Sequence, residues 1–177
     1  MMKGVIFTSR NKDNENITNF KQRSMSFLTN KSVEELSLKF AAFVNEGVLN
    51  ELSRFYININ ERNNEKAIKD LQHYLLDHPD FLATKIEAKV TSFAMRPENA
   101  ITHKWLFDYD SKTGIENFVQ DLVSEGFNKK DIEVYKTVNN YSIVIPHGFD
   151  TRNILAKYGD YVELKRDGLL CVHWAKK

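Results

Sequence analysis

The run Trp105-Leu106-Phe107-Asp108-Tyr109-Asp110 alternates bulky apolar and acidic residues, and this pattern limits what the chain can fold into. In a β-strand, side chains two apart point the same way, so Leu106, Asp108 and Asp110 share one face and Trp105, Phe107 and Tyr109 the other. The aromatic face belongs to a core. Two carboxylates about 7 Å apart at their Cα atoms cannot both be buried unpaired, since each desolvated charge costs several kcal/mol. The sheet therefore needs one dry face and one face where water, a cation or a metal reaches the acids.

Other stretches supply the rest of an α+β domain. Phe55-Tyr56-Ile57-Asn58-Ile59-Asn60 also alternates and reads as a strand, and the N-terminal run through Val5-Ile6-Phe7 reads as a first one. Ser32-Val33-Glu34-Glu35 matches a capping box and predicts a helix over 33–45, with Gly47 as its stop. Helical spacing of Ala67, Ile68, Leu71, Leu75 and Leu76 predicts a helix over 64–76, and Ile115, Phe118, Val119, Leu122 and Val123 predict another over 114–124 that ends at Gly126. Strands are expected over 86–95, 132–138 and 141–146, the last two joined at Asn139-Asn140. A short helix over 151–157 and a hairpin of 161–165 with 169–174, turning at Arg166-Asp167-Gly168, close the chain. Residues 11–30, rich in Asn, Lys, Ser and Asp, read as a loop or mobile segment that orders on binding. The expected architecture is an antiparallel or mixed sheet with helices packed mainly on one face, in a single domain over 1–177.

Bulk properties exclude several classes. Hydrophobic residues make up 42% of the 177 residues and charged residues 28%, which is a folding rather than a disordered composition. A net charge of +1 gives no global field toward nucleic acid, although a local basic groove remains open. The single cysteine, Cys171, excludes an intramolecular disulfide framework, and no apolar run approaches the roughly 18 residues of a membrane span. A cytoplasmic location and no membrane partner are expected. Cys171-x-His173 with His147 is not a structural zinc spacing, and His73 and His78 are five apart on a helix end, so no zinc is assigned.

Paired aspartates at a strand end can hold Mg²⁺ or Mn²⁺ and leave coordination sites for substrate phosphates. The same pair also reads as a plain strand end capping the turn at Ser111-Lys112-Thr113-Gly114. The order of motifs adds to this. Phe55 to Asn60 followed by Glu61-Arg62, then a helix, then the D-x-D strand, resembles the catalytic core of archaeo-eukaryotic-type primases and primase-polymerases. Thr137-Val138-Asn139-Asn140-Tyr141-Ser142-Ile143-Val144 lies where that family has a Gly-Tyr-His-type strand, and Tyr161-Val162-Glu163-Leu164-Lys165 resembles its last acidic strand. The resemblance spans 55–172 loosely, with Ser142 in place of the histidine and Glu163 in place of the usual aspartate.

That resemblance implies a primase-like (RRM-like) core, with Mg²⁺ or Mn²⁺ held by Asp108, Asp110 and Glu163 as catalytic carboxylates. It implies nucleotide binding by Arg62, Ser142 and Lys165, with a nucleoside triphosphate and single-stranded nucleic acid as partners. The expected function is metal-dependent nucleotide binding or nucleotidyl transfer in DNA replication. The alternative is an inactive primase-like binder that engages a host protein or nucleic acid. A compact Lys- and Asn-rich chain suits a bacteriophage or mobile-element product acting in host cytoplasm. Trp105, Tyr109, Trp174, Phe55 and Tyr56 are candidate stacking platforms for bases, with inward packing as the competing role.

Overall fold

The computed structural model describes residues 2–177; Met1, the first residue of the N-terminal strand reading, lies outside them. Among the described residues the chain forms an α+β fold with two four-stranded sheets and five α-helices. The first sheet contains β1 (Lys3–Ser9), β2 (Arg23–Thr29), β3 (Leu52–Asn58) and β8 (Leu169–Lys176), in the order β2-β1-β3-β8. The second contains β4 (Trp105–Tyr109), β5 (Glu133–Lys136), β6 (Tyr141–Ile145) and β7 (Val162–Lys165), in the order β5-β6-β4-β7. Every pairing between these strands is antiparallel. With α4 (Ile115–Ser124) and α5 (Arg152–Tyr158), the second sheet follows the β-α-β-β-α-β order of a ferredoxin-like unit.

Each sheet has a helix-covered outer face. Phe7 is the hub of the first core, with the rings of Phe27, Phe40, Phe43 and Phe55 centred 4.8–5.8 Å away. Phe40 and Phe43 come from α1 (Ser37–Asn45). In the second core Phe107, Tyr109, Ile143 and Ile145 pack beneath Phe118 and Leu122 of α4 and Ile154 and Tyr158 of α5. Between the sheets a smaller cluster joins Ile59, Leu106, Val144 and Leu170. Burial of Leu106 on one face and Phe107 on the other makes the start of β4 dry on both sides, and only from Asp108 onward does one face open. At one end α2 (Asn64–Asp77) packs on α3 (Ile86–Ala94), which lies against β2. No helix among the described residues is long and apolar enough to cross a membrane.

Four expectations are corrected. Residues 86–95, read as a strand, form α3. Ile86, Ala88 and Val90 suit either period, but Ala88 is exposed while Val90, Phe93 and Ala94 turn inward on three- and four-residue steps. The segment 11–30 contains strand β2, which buries Phe27, and Asn14 sits buried, bonded through its side chain to Ser9, Arg10 and Leu52. The capping box forms, with Ser32 N–H donating to Glu35 Oε2 at 2.7 Å and Glu35 N–H to Ser32 Oγ at 3.2 Å, yet regular helix starts only at Ser37.

The fourth correction matters most for the site. The expected C-terminal hairpin does not exist: β7 pairs with β4 and β8 with β3, so Arg166-Asp167-Gly168 carries the chain from one sheet to the other. Turn residues between two alternating runs look the same whether the runs pair with each other or with different partners. Asp167 fixes the crossing. It accepts from Arg62 Nη1 at 2.9 Å and Nη2 at 2.5 Å and from Asn60 Nδ2 at 3.1 Å, while Ile59 N–H donates to Gly168 O at 3.1 Å. The Arg62 side chain is 0% exposed and that of Asp167 12%. Asp167→Ala would leave a buried guanidinium without its carboxylate, which typically costs about 3–5 kcal/mol. Urea unfolding of the variant is expected to show a loss of that order.

Candidate functional site

Beyond the Leu106 cluster the two sheets part, and a cleft of about 700 Å³ opens between them. One wall carries Asp108, Asp110, Ser142 and Lys165 from the second sheet; the other carries Thr8, Arg10, Arg54 and Tyr56 from the first.

Strand register explains the first wall. Asp108 lies directly between Ser142 on β6 and Glu163 on β7, so the three side chains emerge on one face. Ser142 Oγ donates to Asp108 Oδ1 at 2.9 Å, and the Lys165 ammonium donates to Asp108 Oδ2 while lying 3.4 Å from Glu163 Oε2. Burial alone would lower the Lys165 pKa, but the Asp108 hydrogen bond and the charges of Asp108 and Glu163 raise it above the ordinary lysine value. Asp110 stands just past the end of β4, where its N–H donates to Tyr161 O at 2.7 Å and its carboxylate accepts from Asn140 Nδ2 at 3.2 Å. Both aspartates therefore reach the cleft. The Glu163 side chain is 68% exposed, and among the described residues no three of His, Cys, Asp or Glu gather into a metal-ligand set.

Arg62 is placed elsewhere. Its guanidinium is fully buried against Asp167 and does not line the cleft, so no phosphate reaches it in this arrangement. Of the five aromatic residues considered for stacking, Tyr56 lines the cleft, whereas Phe55 and Tyr109 are spent in the two helix–sheet cores. His173, exposed on β8, packs edge-on to Phe40 of the first core, and the exposed His147 lies against Phe127 of the second. Cys171 lines the cleft, with burial pushing its thiol up to about 11, so it is protonated and unreactive at neutral pH.

The second wall was missed in the sequence. Arg10 Nε donates to Asp13 Oδ2 at 2.7 Å and its Nη2 to Oδ1 at 3.1 Å; Arg54 Nη2 donates to the same Oδ1 at 2.5 Å. Burial would raise the Asp13 pKa, but the two guanidiniums outweigh it and hold the carboxyl below its ordinary value. A signal was present: Ile6, Thr8 and Arg10 continue the two-residue period of β1, and Arg54 and Tyr56 that of β3, so each set shares a face.

Compared with known proteins, the chain matches no family model, no curated protein and no solved structure.

The Asp13 pairing predicts a pH dependence. A carboxyl whose folded pKa is depressed contributes stability above its unfolded value and loses it as pH falls through the folded one. The stability gap between wild type and Asp13→Asn, read by urea unfolding across pH, should be widest near neutrality. It should narrow as pH drops below the ordinary aspartate value of about 4.

Proposed function

We propose that the inter-sheet cleft binds a nucleotide together with Mg²⁺ or Mn²⁺, in the manner of a primase-polymerase core, with Asp108 and Asp110 holding the cation. The observation that carries this reading is the placement of both aspartates on one wall of a cleft large enough for a nucleotide, on a β-α-β-β-α-β unit. The donor set also fits. It is all carboxylate and hydroxyl oxygen, which suits a hard divalent cation that keeps open positions for phosphate and water. Lys165 already sets a positive charge between Asp108 and Glu163, where those acids attract one. When bound, such a cation supplies neutralisation of charge on a transferring phosphoryl group. Lys165 and Ser142 position the Asp108 carboxylate, and Lys165 is the ammonium nearest to anything seated on it. Nucleotidyl transfer follows if a 3′ hydroxyl of a nucleic acid strand enters the same cleft.

A second reading, a non-catalytic binder of nucleic acid or of a host protein, is favoured by the side-chain commitments at Asp108. The Ser142 hydroxyl proton and one of the three Lys165 ammonium protons go to that carboxylate, and Glu163 points to solvent. A hydroxyl has one proton to give, so Ser142 cannot serve a phosphate while it serves Asp108.

Thermal unfolding with Mn²⁺ and ATP tests the first reading. A ligand at one hundred times its dissociation constant adds about 2.7 kcal/mol to stability, so the midpoint should rise in wild type and not in Asp108→Ala/Asp110→Ala. If Lys165 competes with the cation, Lys165→Met should bind Mn²⁺ more tightly. No rise in wild type, or the same rise in the double variant, would sink it. Primer extension then separates the two readings: binding without any extended product leaves the non-catalytic one.

A further inference from the structure

Among the described residues, the wall opposite Asp108 and Asp110 carries more positive charge than its one paired carboxylate balances. Arg10 and Arg54 converge on one carboxylate, Asp13, so two fixed positive charges face one negative. A guanidinium does not lose its proton under ordinary conditions, so the excess cannot be relieved by titration. The arrangement is also built into the fold. The side chains of Arg54 and Asp13 are 11% and 7% exposed, and Asp13 ends a tight turn whose next residue, Asn14, is tied through its side chain to Ser9 and Leu52. The two guanidiniums carry ten N–H donors, of which four are matched within the protein: three on Asp13 and one, at 3.5 Å, on the Tyr56 hydroxyl. Arg54 Nε is buried with no partner among the described residues.

We propose that Arg10 and Arg54 form a phosphate subsite, and that a polyphosphate ligand lies across the cleft with its anionic end on this wall. The proposal rests on the reading of the cleft as a site for a phosphate-bearing ligand and adds which residues take the phosphate and which way the ligand points. The two walls have opposite surpluses. On the second sheet Lys165 answers Asp108, while Asp110 has only the amide of Asn140. A metal–polyphosphate, which can turn its cation to one wall and its anionic oxygens to the other, matches both surpluses at once; a free carboxylate would match one. Forked guanidinium donors also suit tetrahedral phosphate oxygens better than an ammonium does. Asp13 keeps the two like charges in place while the subsite is empty, and by taking three of their donors it limits their affinity for a ligand.

That double role of Asp13 gives a test with a sign. Inorganic tripolyphosphate without metal, followed by calorimetry on the intact chain, reads the subsite alone. Wild type is expected to bind it, Arg10→Gln to bind at least tenfold more weakly, and Arg54→Lys, which keeps the charge and loses the fork, to bind severalfold more weakly. Asp13→Asn is expected to bind severalfold more tightly while unfolding at a lower temperature. A merely structural cluster gives the lower unfolding temperature without the tighter binding, and that result overturns the proposal. So does unchanged binding by Arg10→Gln, whose partly exposed side chain is removable without emptying a core. Mn²⁺ titrated alone into wild type reads the other wall. No Mn²⁺ binding removes the cation site and leaves the arginine subsite standing; Mn²⁺ binding without metal-free tripolyphosphate binding does the reverse.

Discussion

The buried pair of Arg62 and Asp167 ties the two sheets together at the edge of the cleft, which Asp167 helps to line. An arginine with no exposed side chain is tolerable only if its charge is met, and Asp167 accepts from both terminal nitrogens while Nε is left without a partner among the described residues. The pair joins the exit of β3 to the crossing between β7 and β8, 105 residues further along the chain. Asn60 extends the joint to the approach to β4, with its carbonyl oxygen accepting from Lys104 N–H and its amide donating to Lys104 O and Asp167. One cluster thus fixes where the first sheet ends, where the second begins, and how the chain passes between them.

The sequence made strands and amphipathic helices legible wherever one face is buried and the other is wet. α2 and α4 follow their periods closely because a single burial direction dominates each, whereas β4 is dry on both faces at Leu106 and Phe107 and opens on one only from Asp108. α3 escaped because Ile86, Ala88 and Val90 satisfy a period of two as well as a helical one, and only the tertiary packing of Phe93 and Ala94 decides between them. The division of strands between two sheets escaped for a different reason. Period records which face of a strand is dry and carries nothing about which strand is its neighbour.

The same limit explains the site. Asp108 and Asp110 were readable because both lie in one alternating run. Arg54 and Asp13 meet across 41 residues, and neither segment stands out until β1 and β3 lie side by side. Asn60-Glu61-Arg62 drew notice as a nucleotide-contact motif on the strength of a family resemblance. Its arginine lies where the fold needs an internal tie, and an arginine suited to either role looks the same in the sequence. The cleft's positive wall came from residues whose spacing was plain but whose partner could only be found in three dimensions.

The split of β7 and β8 between sheets also orders events during folding. The second sheet draws its strands and helices from an unbroken stretch, 105–165, so its pairings close loops of modest length. The first sheet stays incomplete until β8 (Leu169–Lys176) reaches β3, and that pairing spans more than one hundred residues, from Leu52↔Lys176 to Asn58↔Leu169, with its register shifted by one between Phe55 and Tyr56. Long-range closure of this kind slows folding, since chain entropy is lost before contacts form. The chain that leads into that strand is the segment held by Asp167, so the pairing that closes the first sheet is anchored beside the cleft.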